Sequence, residues 1–379
     1  MPAKTDRAAR FRRLSAPLSL GLIAALLVAL GFVSMDNARP HAAHAATADN
    51  TPLLAYYYIW FDSGSWDRAK IDTPLLGTYS SDDEAVMRRH IEMAKAAGID
   101  GFLVSWKSSD QLNARLESLM RVADDEGFKL GIVYEGLDFN RNPLPASRVG
   151  SDLQYFAAHY ASDPAFRIFD RPLVIWSGTW SYSPEEIGSV TAPLRSQLLL
   201  LASEKNVDGY KRIADLVDGD AYYWSSVNPY TNKTYASKLQ QMGQSVHGQD
   251  GLWIAPAAPG FNAKMVGGSS DVPRNDGDTL RRELSVAASS VPDAIGLISW
   301  NEFSENTYIE PSKQFGSRYL DVLTAANHAQ AMGTLSAPAG ANDPVDSSSP
   351  AGDANKYQIA VLAAIGFVCV TAVVMVIRR

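Results

Sequence analysis

Two carboxylates three residues apart, Glu302 and Glu305, are the part of this sequence best placed to do chemistry. They stand in the run Trp300-Asn301-Glu302-Phe303-Ser304-Glu305-Asn306-Thr307-Tyr308-Ile309-Glu310-Pro311, directly after the apolar stretch Ala294 to Ser299. That stretch is short and apolar enough for a buried strand, and in parallel α/β folds the groups that act on ligands sit where strands end. A pair of acids at such a junction can divide proton donation and proton acceptance between them, the division of labour that sugar hydrolysis commonly uses. Glu-x-x-Glu is also a frequent spacing on solvated helix faces, so its neighbours decide its meaning. Here Trp300, Phe303 and Tyr308 supply aromatic surface, Asn301 and Thr307 supply neutral hydrogen-bonding groups, and Pro311 stops a helix from continuing. That mixture suits a sugar-binding cleft.

The elements that must position these acids follow a regular alternation. Strands are expected over Leu53 to Phe61, Gly101 to Trp106, Lys129 to Glu135, Pro172 to Trp176, Gln197 to Ala202, Val217 to Trp224, Leu252 to Pro256 and Ala294 to Trp300. Helical patterns follow them: one opened by Ser81-Asp82-Asp83-Glu84 and ended by Gly98, then Leu112 to Asp125, Asp152 to Tyr160, Pro184 to Leu194, Tyr210 to Leu216, Tyr235 to Val246, Thr279 to Ser289 and Ser317 to Met332. Eight strand-then-helix units predict an α/β fold, a (β/α)8 TIM barrel over residues 51–333. An open doubly wound sheet is the alternative. It calls for a glycine-rich phosphate loop after the first strand, and Asp62 to Ser65 is not one.

A barrel gathers strand ends on one rim, so residues far apart in sequence become neighbours. Tyr58 and Trp60 close the first strand, Trp106 the second, Glu135 the third and Trp224, with Tyr223 beside it, the sixth, while Asn301, Glu302 and Glu305 follow the eighth. Each aromatic taken singly reads as well as core filler. Together they predict a carbohydrate cleft.

The formal charge of −7 is unevenly spread: residues 1–45 hold six Lys/Arg against two Asp/Glu, a net of +4, which leaves −11 on the remainder. An acidic domain without a basic stripe excludes nucleic acid as the expected partner. Residues 1–45 have the layout of a secretory signal peptide: Lys4, Arg7, Arg10, Arg12 and Arg13, an apolar stretch near Pro17 to Val33, then Ala43-His44-Ala45. An uncleaved anchor is the other reading, since the apolar run approaches the ~18 residues that suggest a span. At the far end, residues 336–356 are a flexible linker by composition, and residues 357–379 are a transmembrane helix. Its core, Ile359 to Ile377, is nineteen apolar residues closed by Arg378 and Arg379. The terminal arginines predict a cytoplasmic end, hence a single-pass protein of the cell membrane with its large domain extracytoplasmic. Cys369, the one cysteine, lies within that span, so the exported portion has no disulfide framework.

Several segments resemble glycoside hydrolase family 99, the endo-α-mannosidases and endo-α-mannanases. The acid-bearing run is similar to that family's signature, and the likeness extends through Tyr56-Tyr57-Tyr58-Ile59-Trp60-Phe61, Gly77-Thr78-Tyr79-Ser80-Ser81-Asp82-Asp83, Gly98-Ile99-Asp100-Gly101-Phe102, Tyr134-Glu135, Asp218-Gly219 and Ala258-Pro259-Gly260-Phe261-Asn262. The resemblance implies that Glu302 removes the proton of the substrate's own 2-hydroxyl. Glu305 then protonates the leaving oxygen and later activates water, giving net retention through a 1,2-anhydro sugar. It implies a sugar contact for Glu135 and a subsite wall for Tyr223, with Tyr58 a looser match. The chain departs from the family's usual pattern at Phe303-Ser304 in place of Trp-His, Asn306 in place of Gly, Tyr308 in place of Gln and Lys107 in place of a second Trp. These changes leave hydrolysis better marked than mannose specificity. A non-catalytic carbohydrate-binding envelope protein, or a related barrel acting on another α-glycan, stays open.

Other chemistries lack residues to perform them. The histidines have no metal-ligand spacing, no Gly-x-Ser-x-Gly elbow occurs, and no nucleotide loop appears. No cofactor or metal is expected. The expected partners are a poly- or oligosaccharide substrate and, through the C-terminal helix, a membrane.

Overall fold

The computed structural model describes residues 51–68 and 70–331, in which the alternation forms a closed barrel of eight parallel strands. The strands are β1 Leu53–Tyr58, β2 Gly101–Trp106, β3 Lys129–Glu135, β4 Leu173–Ser177, β5 Leu199–Ala202, β6 Gly219–Ala221, β7 Leu252–Ala257 and β8 Ala294–Leu297. Each pairs with its neighbours in sequence, and the ring closes where Leu53, Leu54 and Ala55 of β1 meet Ile295, Gly296 and Leu297 of β8. Eight helices alternate with them: α1 Glu84–Ala96, α2 Asp110–Glu126, α3 Ala146–His159, α4 Pro184–Thr191, α5 Val207–Ile213, α6 Tyr235–His247, α7 Asp278–Ser289 and α8 Arg318–Ala331. The expected (β/α)8 barrel is the observed one. The signal peptide at 1–45, the linker at 336–356 and the membrane span at 357–379 lie outside the described residues. Among the described residues no helix is long and apolar enough to cross a membrane.

Side chains alternate along each strand, and this period of two sorts them into two cores. Leu54, Tyr56, Tyr58, Leu103, Val133, Leu173, Ile175, Leu199, Leu201, Ala221 and Ile254 fill the barrel interior. Their neighbours Tyr57, Phe102, Val104, Trp106, Ile132, Tyr134, Trp176 and Trp253 face outward and pack under the helices. Burying rings of this size removes roughly 150–250 Å² from water each, on the order of 4–6 kcal/mol before ordering costs. The helices are therefore held by aromatic weight on their inner stripes.

Local chemistry sets the boundaries, and it moves some of them from where periodicity alone puts them. The cap of α1 is Asp83, which accepts from the N–H groups of Ala85 and Val86. Ser81, the expected cap, instead accepts from the N–H of Phe61. Asp82 pairs with the buried Arg115 of α2, at 2.6 Å. Helix α3 begins at Ala146 rather than Asp152, directly after Pro145, whose ring fixes φ near −53° and whose carbonyl accepts the first helical N–H bonds from Arg148 and Val149. Pairing in β6 covers three residues only, so Tyr222, Tyr223 and Trp224 belong to the loop above the barrel.

Candidate active site

After β8 the chain forms a closed loop rather than a helix. The Ser299 N–H donates to the Thr307 carbonyl at 2.8 Å, the Ile309 N–H returns to Ser299 at 2.9 Å, and the Ser299 and Thr307 hydroxyls meet at 3.0 Å. A cis peptide joins Ile298 to Ser299. Within this clasp Glu302 to Asn306 run through turns, with Asn306 at φ 55°, a left-handed conformation that asparagine tolerates. The spacing of the two acids thus serves a turn at the barrel mouth. Glu302 is fastened at both ends: its N–H donates to Ser299 Oγ at 2.9 Å, and its Oε1 accepts from the Ser304 N–H at 2.7 Å.

Two buried anchors hold the loop to the barrel. Asn301 Oδ1 accepts from the Tyr58 N–H at 2.8 Å while its Nδ2 donates to the Tyr58 carbonyl. Glu310 receives the Tyr79 hydroxyl at 2.9 Å and faces His90 Nε2 at 3.1 Å, and His90 Nδ1 lies 3.0 Å from the Tyr57 hydroxyl. Asn301 was expected to contact substrate. Its carboxamide is fully buried and already engaged, so it positions the loop instead.

The two acids are held in different protonation environments. Glu302 is 2% exposed and Glu305 7% exposed, and burial raises both carboxyls above the ordinary range. For Glu302 the Ser304 N–H, and then the charge of Lys70, pull back toward ionisation. Glu305 lacks such a counterweight of equal size: burial and then the charge of Glu302 push it up to about 8, with Glu135 adding to the rise and Arg141 opposing it. Of the two, Glu305 is the one held as a proton donor, while Glu302 has the groups that favour its charge.

Four predicted residues join them. Tyr58 and Tyr223 touch hydroxyl to hydroxyl at 3.0 Å, and burial, then in Tyr58's case the charge of Glu302, keeps both phenols protonated. Glu135 accepts from Ser105 Oγ at 2.8 Å and acts electrostatically on Tyr58 and Glu305. Trp60 is half-buried, its ring 4.3 Å from that of Tyr58. Lys70, on the loop after β1, lies 5.6 Å from the Trp66 ring and 5.9 Å from the Phe61 ring, and burial lowers its affinity for a proton.

A profile described as glycosyl hydrolase family 99 matches residues 30–332, most of the chain and all of this barrel. The chain belongs to glycosyl hydrolase family 99. Its similarity to individual family 99 proteins is distant. It is 22% identical over 277 residues to the glycoprotein endo-alpha-1,2-mannosidases of Rattus norvegicus and of Mus musculus, covering 65% of this chain. The match spans 59% of the length of those relatives. In structure it is similar to the family 99 endo-alpha-mannosidase of Bacteroides thetaiotaomicron, with TM-score 0.65, 21% identity and coverage of 74% of this chain and 98% of that one. A glycoside hydrolase-like protein follows at TM-score 0.56 and 17% identity, covering 73% and 93%. At these identities the structural likeness speaks for the fold.

Two aromatics expected at the strand ends to line the carbohydrate cleft face away from it. Trp106 points outward from β2, packs against Tyr134 and Phe156, and donates to Asn113 Oδ1 at 3.0 Å. Trp224 likewise faces the helices, stacked on Tyr235 at 4.8 Å with Lys238 on its ring. For Trp106 the reason is strand parity: Ser105 occupies the inward position and bonds Glu135, so its neighbour Trp106 faces out. Trp224 lies on the loop beyond β6, and its stacking on Tyr235 of α6 turns it away. Counting parity along β2 identifies Trp106 from sequence. Residues that spacing alone did not single out include Tyr79 and Glu310, which anchor the loop, and Asp72, which accepts from the Tyr308 hydroxyl at 2.6 Å. Phe303 is fully buried, stacked on Tyr308 at 4.0 Å and edge-on to Trp66 at 5.5 Å, so it packs within the loop's aromatic support.

Proposed function

We propose that this chain is a glycoside hydrolase that cleaves α-linked mannose-type glycans within the chain, with retention through a 1,2-anhydro sugar. Glu302 takes the proton of the substrate 2-hydroxyl as O2 attacks C1. The bond from C1 to the leaving oxygen breaks while Glu305 gives that oxygen its proton. Glu305, now ionised, takes a proton from water, whose oxygen opens the 1,2-anhydro ring at C1. Glu302 returns its proton to O2, and both acids are restored. Tyr58, Tyr223, Trp60 and Glu135 bind the sugar beside them.

One observation carries this reading: two buried acids on one turn at the barrel mouth, close enough to feel each other's charge, of which Glu305 is held protonated up to about pH 8 while Glu302 has a backbone donor and Lys70 favouring its charge. The names of the relatives support mannose as the sugar. The layout of residues 1–45 and 357–379 supports an extracytoplasmic domain tethered to the membrane. The other reading, a carbohydrate binder without catalysis, requires only the aromatic wall and leaves the contrast between the acids without a use.

The deciding experiment is turnover by purified protein on α-mannan oligosaccharides and on an activated aryl α-mannoside, with Glu302→Gln, Glu305→Gln and a 2-deoxy substrate beside them. Glu302→Gln should lose activity on both substrates by roughly 10²- to 10⁴-fold, and Glu305→Gln chiefly on the oligosaccharide. Normal cleavage of the 2-deoxy glycoside excludes O2 as nucleophile, and tight binding without any cleavage makes the protein a binder.

A further inference from the structure

We propose that Arg274 is a positioning residue for the general acid, an inference that rests on reading Glu305 as that acid. Arg274 lies between β7 and α7, beyond the short antiparallel ribbon in which Phe261–Asn262 pairs with Asp271–Val272. Its Nη2 donates to two carbonyls of the acid loop, Asn306 at 2.9 Å and Tyr308 at 2.9 Å. The flat guanidinium is enclosed by three rings, Tyr308 at 4.4 Å, Phe315 at 4.7 Å and Tyr319 at 4.4 Å. A planar, permanently charged fork suits such a stack, and a lysine ammonium does not.

The ribbon that carries Arg274 grips the same turn a second time. The Asn262 N–H donates to the carbonyl of Glu305 itself at 2.7 Å, and Asn306 Nδ2 donates back to the Asn262 carbonyl at 2.6 Å. Carbonyls at Glu305, Asn306 and Tyr308 are thus all held from the one connection. The connection is in turn fixed to α7, because the buried carboxylate of Glu283 accepts the Ala258 N–H at 2.7 Å. Gly260, at φ 148°, makes the crossing feasible: a Cβ there would stand 2.7 Å from Arg274 Cγ.

Asn306 sits in a left-handed conformation, which a turn keeps only when its surroundings over-determine it. Arg274 does this from outside the loop. Without it the carbonyls of Asn306 and Tyr308 lose their outside donor, the Glu305–Asn306 end of the turn is tied to the neighbouring connection by the Asn262 bonds only, and Glu305 gains freedom to tilt toward solvent. Both its aim at the leaving oxygen and the burial that keeps it protonated then weaken.

The test uses Arg274→Lys and Arg274→Met in the otherwise unaltered protein, with melting curves and titration of the Glu305 carboxyl followed by carbon-13 NMR. On α-mannan oligosaccharides, whose leaving group needs the proton, kcat should fall by roughly 10- to 100-fold, part of what general-acid assistance is worth. On an activated aryl mannoside it should change by less than about threefold, KM should hold, and Lys should rescue little. The Glu305 titration should move down toward the ordinary carboxyl range in both variants. Equal losses on the two substrates, or an unmoved Glu305 titration, overturn the proposal and leave Arg274 a stabilising residue. If the unaltered protein cleaves neither substrate, the hydrolase reading fails by itself, and the NMR titration still decides whether Arg274 sets the environment of Glu305.

Discussion

Asn301 completes the barrel closure that β1 and β8 begin: its carboxamide pairs with both backbone groups of Tyr58, at 2.8 and 3.0 Å, above the last ladder pair Ala55↔Leu297. The phenol of Tyr58 and the acid turn after Asn301 are thereby set against each other. Asn301→Ala should leave a buried N–H and a buried carbonyl without partners. Each costs about 1–3 kcal/mol, so chemical denaturation should show a loss of roughly 2–6 kcal/mol. A variant as stable as its parent would mean that water serves both groups and that the closure does not depend on this side chain.

The pH dependence follows from the two acids. The proposed mechanism requires Glu302 ionised and Glu305 protonated, so kcat/KM should be bell-shaped, with its alkaline limb near 8, where Glu305 loses its proton. As a coupled pair the acids titrate together, and the limbs belong to the pair, with Glu135 and Arg141 in the same field. Glu305→Gln should abolish the alkaline limb in whatever activity remains. Lys70→Met should move the acid limb to higher pH, because the lysine charge lowers the carboxyl of Glu302. An acid limb that stays in place would separate Lys70 from the chemistry.

Stability should respond in the same window with a definite sign. The Glu305 carboxyl is raised on folding, so the unfolded chain ionises it first, and stability is lost as pH climbs from the ordinary carboxyl range to about 8. Glu305→Gln should therefore gain on its parent across that range and show no relative gain below it. Melting temperatures at pH 4, 6 and 8 measure this directly, and a constant difference between the two proteins would contradict the buried, protonated state.

The tryptophans should separate by role. Trp106→Ala removes a ring from the packed layer under the helices and should cost about 3–5 kcal/mol, while folded variant protein keeps its KM. Trp60→Ala, at the half-buried rim position beside Tyr58, should raise KM for an oligosaccharide with little change in melting temperature. The opposite assignment of effects would place Trp106 in the cleft.

Much of the barrel is legible in the chain because its signals are local. An apolar run of four to seven residues, then an amphipathic helix with its cap and its glycine, is repeated until the strands close on one another, and strand exits must then share a rim. The nomination of Glu302, Glu305, Glu135, Tyr58 and Tyr223 rests on that logic together with the family resemblance. The sequence also contains the parity that turns Trp106 outward, since side chains alternate along a strand whatever else the fold does, whereas Trp224, beyond the end of β6, is placed by its contact with Tyr235.

The tertiary structure decided the environment of each group. No spacing reveals that Asn301 spends its hydrogen bonds on Tyr58, that His90 and Tyr79 meet at Glu310, or that Arg274 crosses Gly260 to reach the carbonyls of Asn306 and Tyr308. These contacts join segments far apart in the chain. The difference between the two acids has the same origin. Glu302 and Glu305 are chemically identical, and only their burial, the Ser304 N–H, the reach of Lys70 and their mutual repulsion set their carboxyls apart, the difference on which the proposed base and acid roles rest.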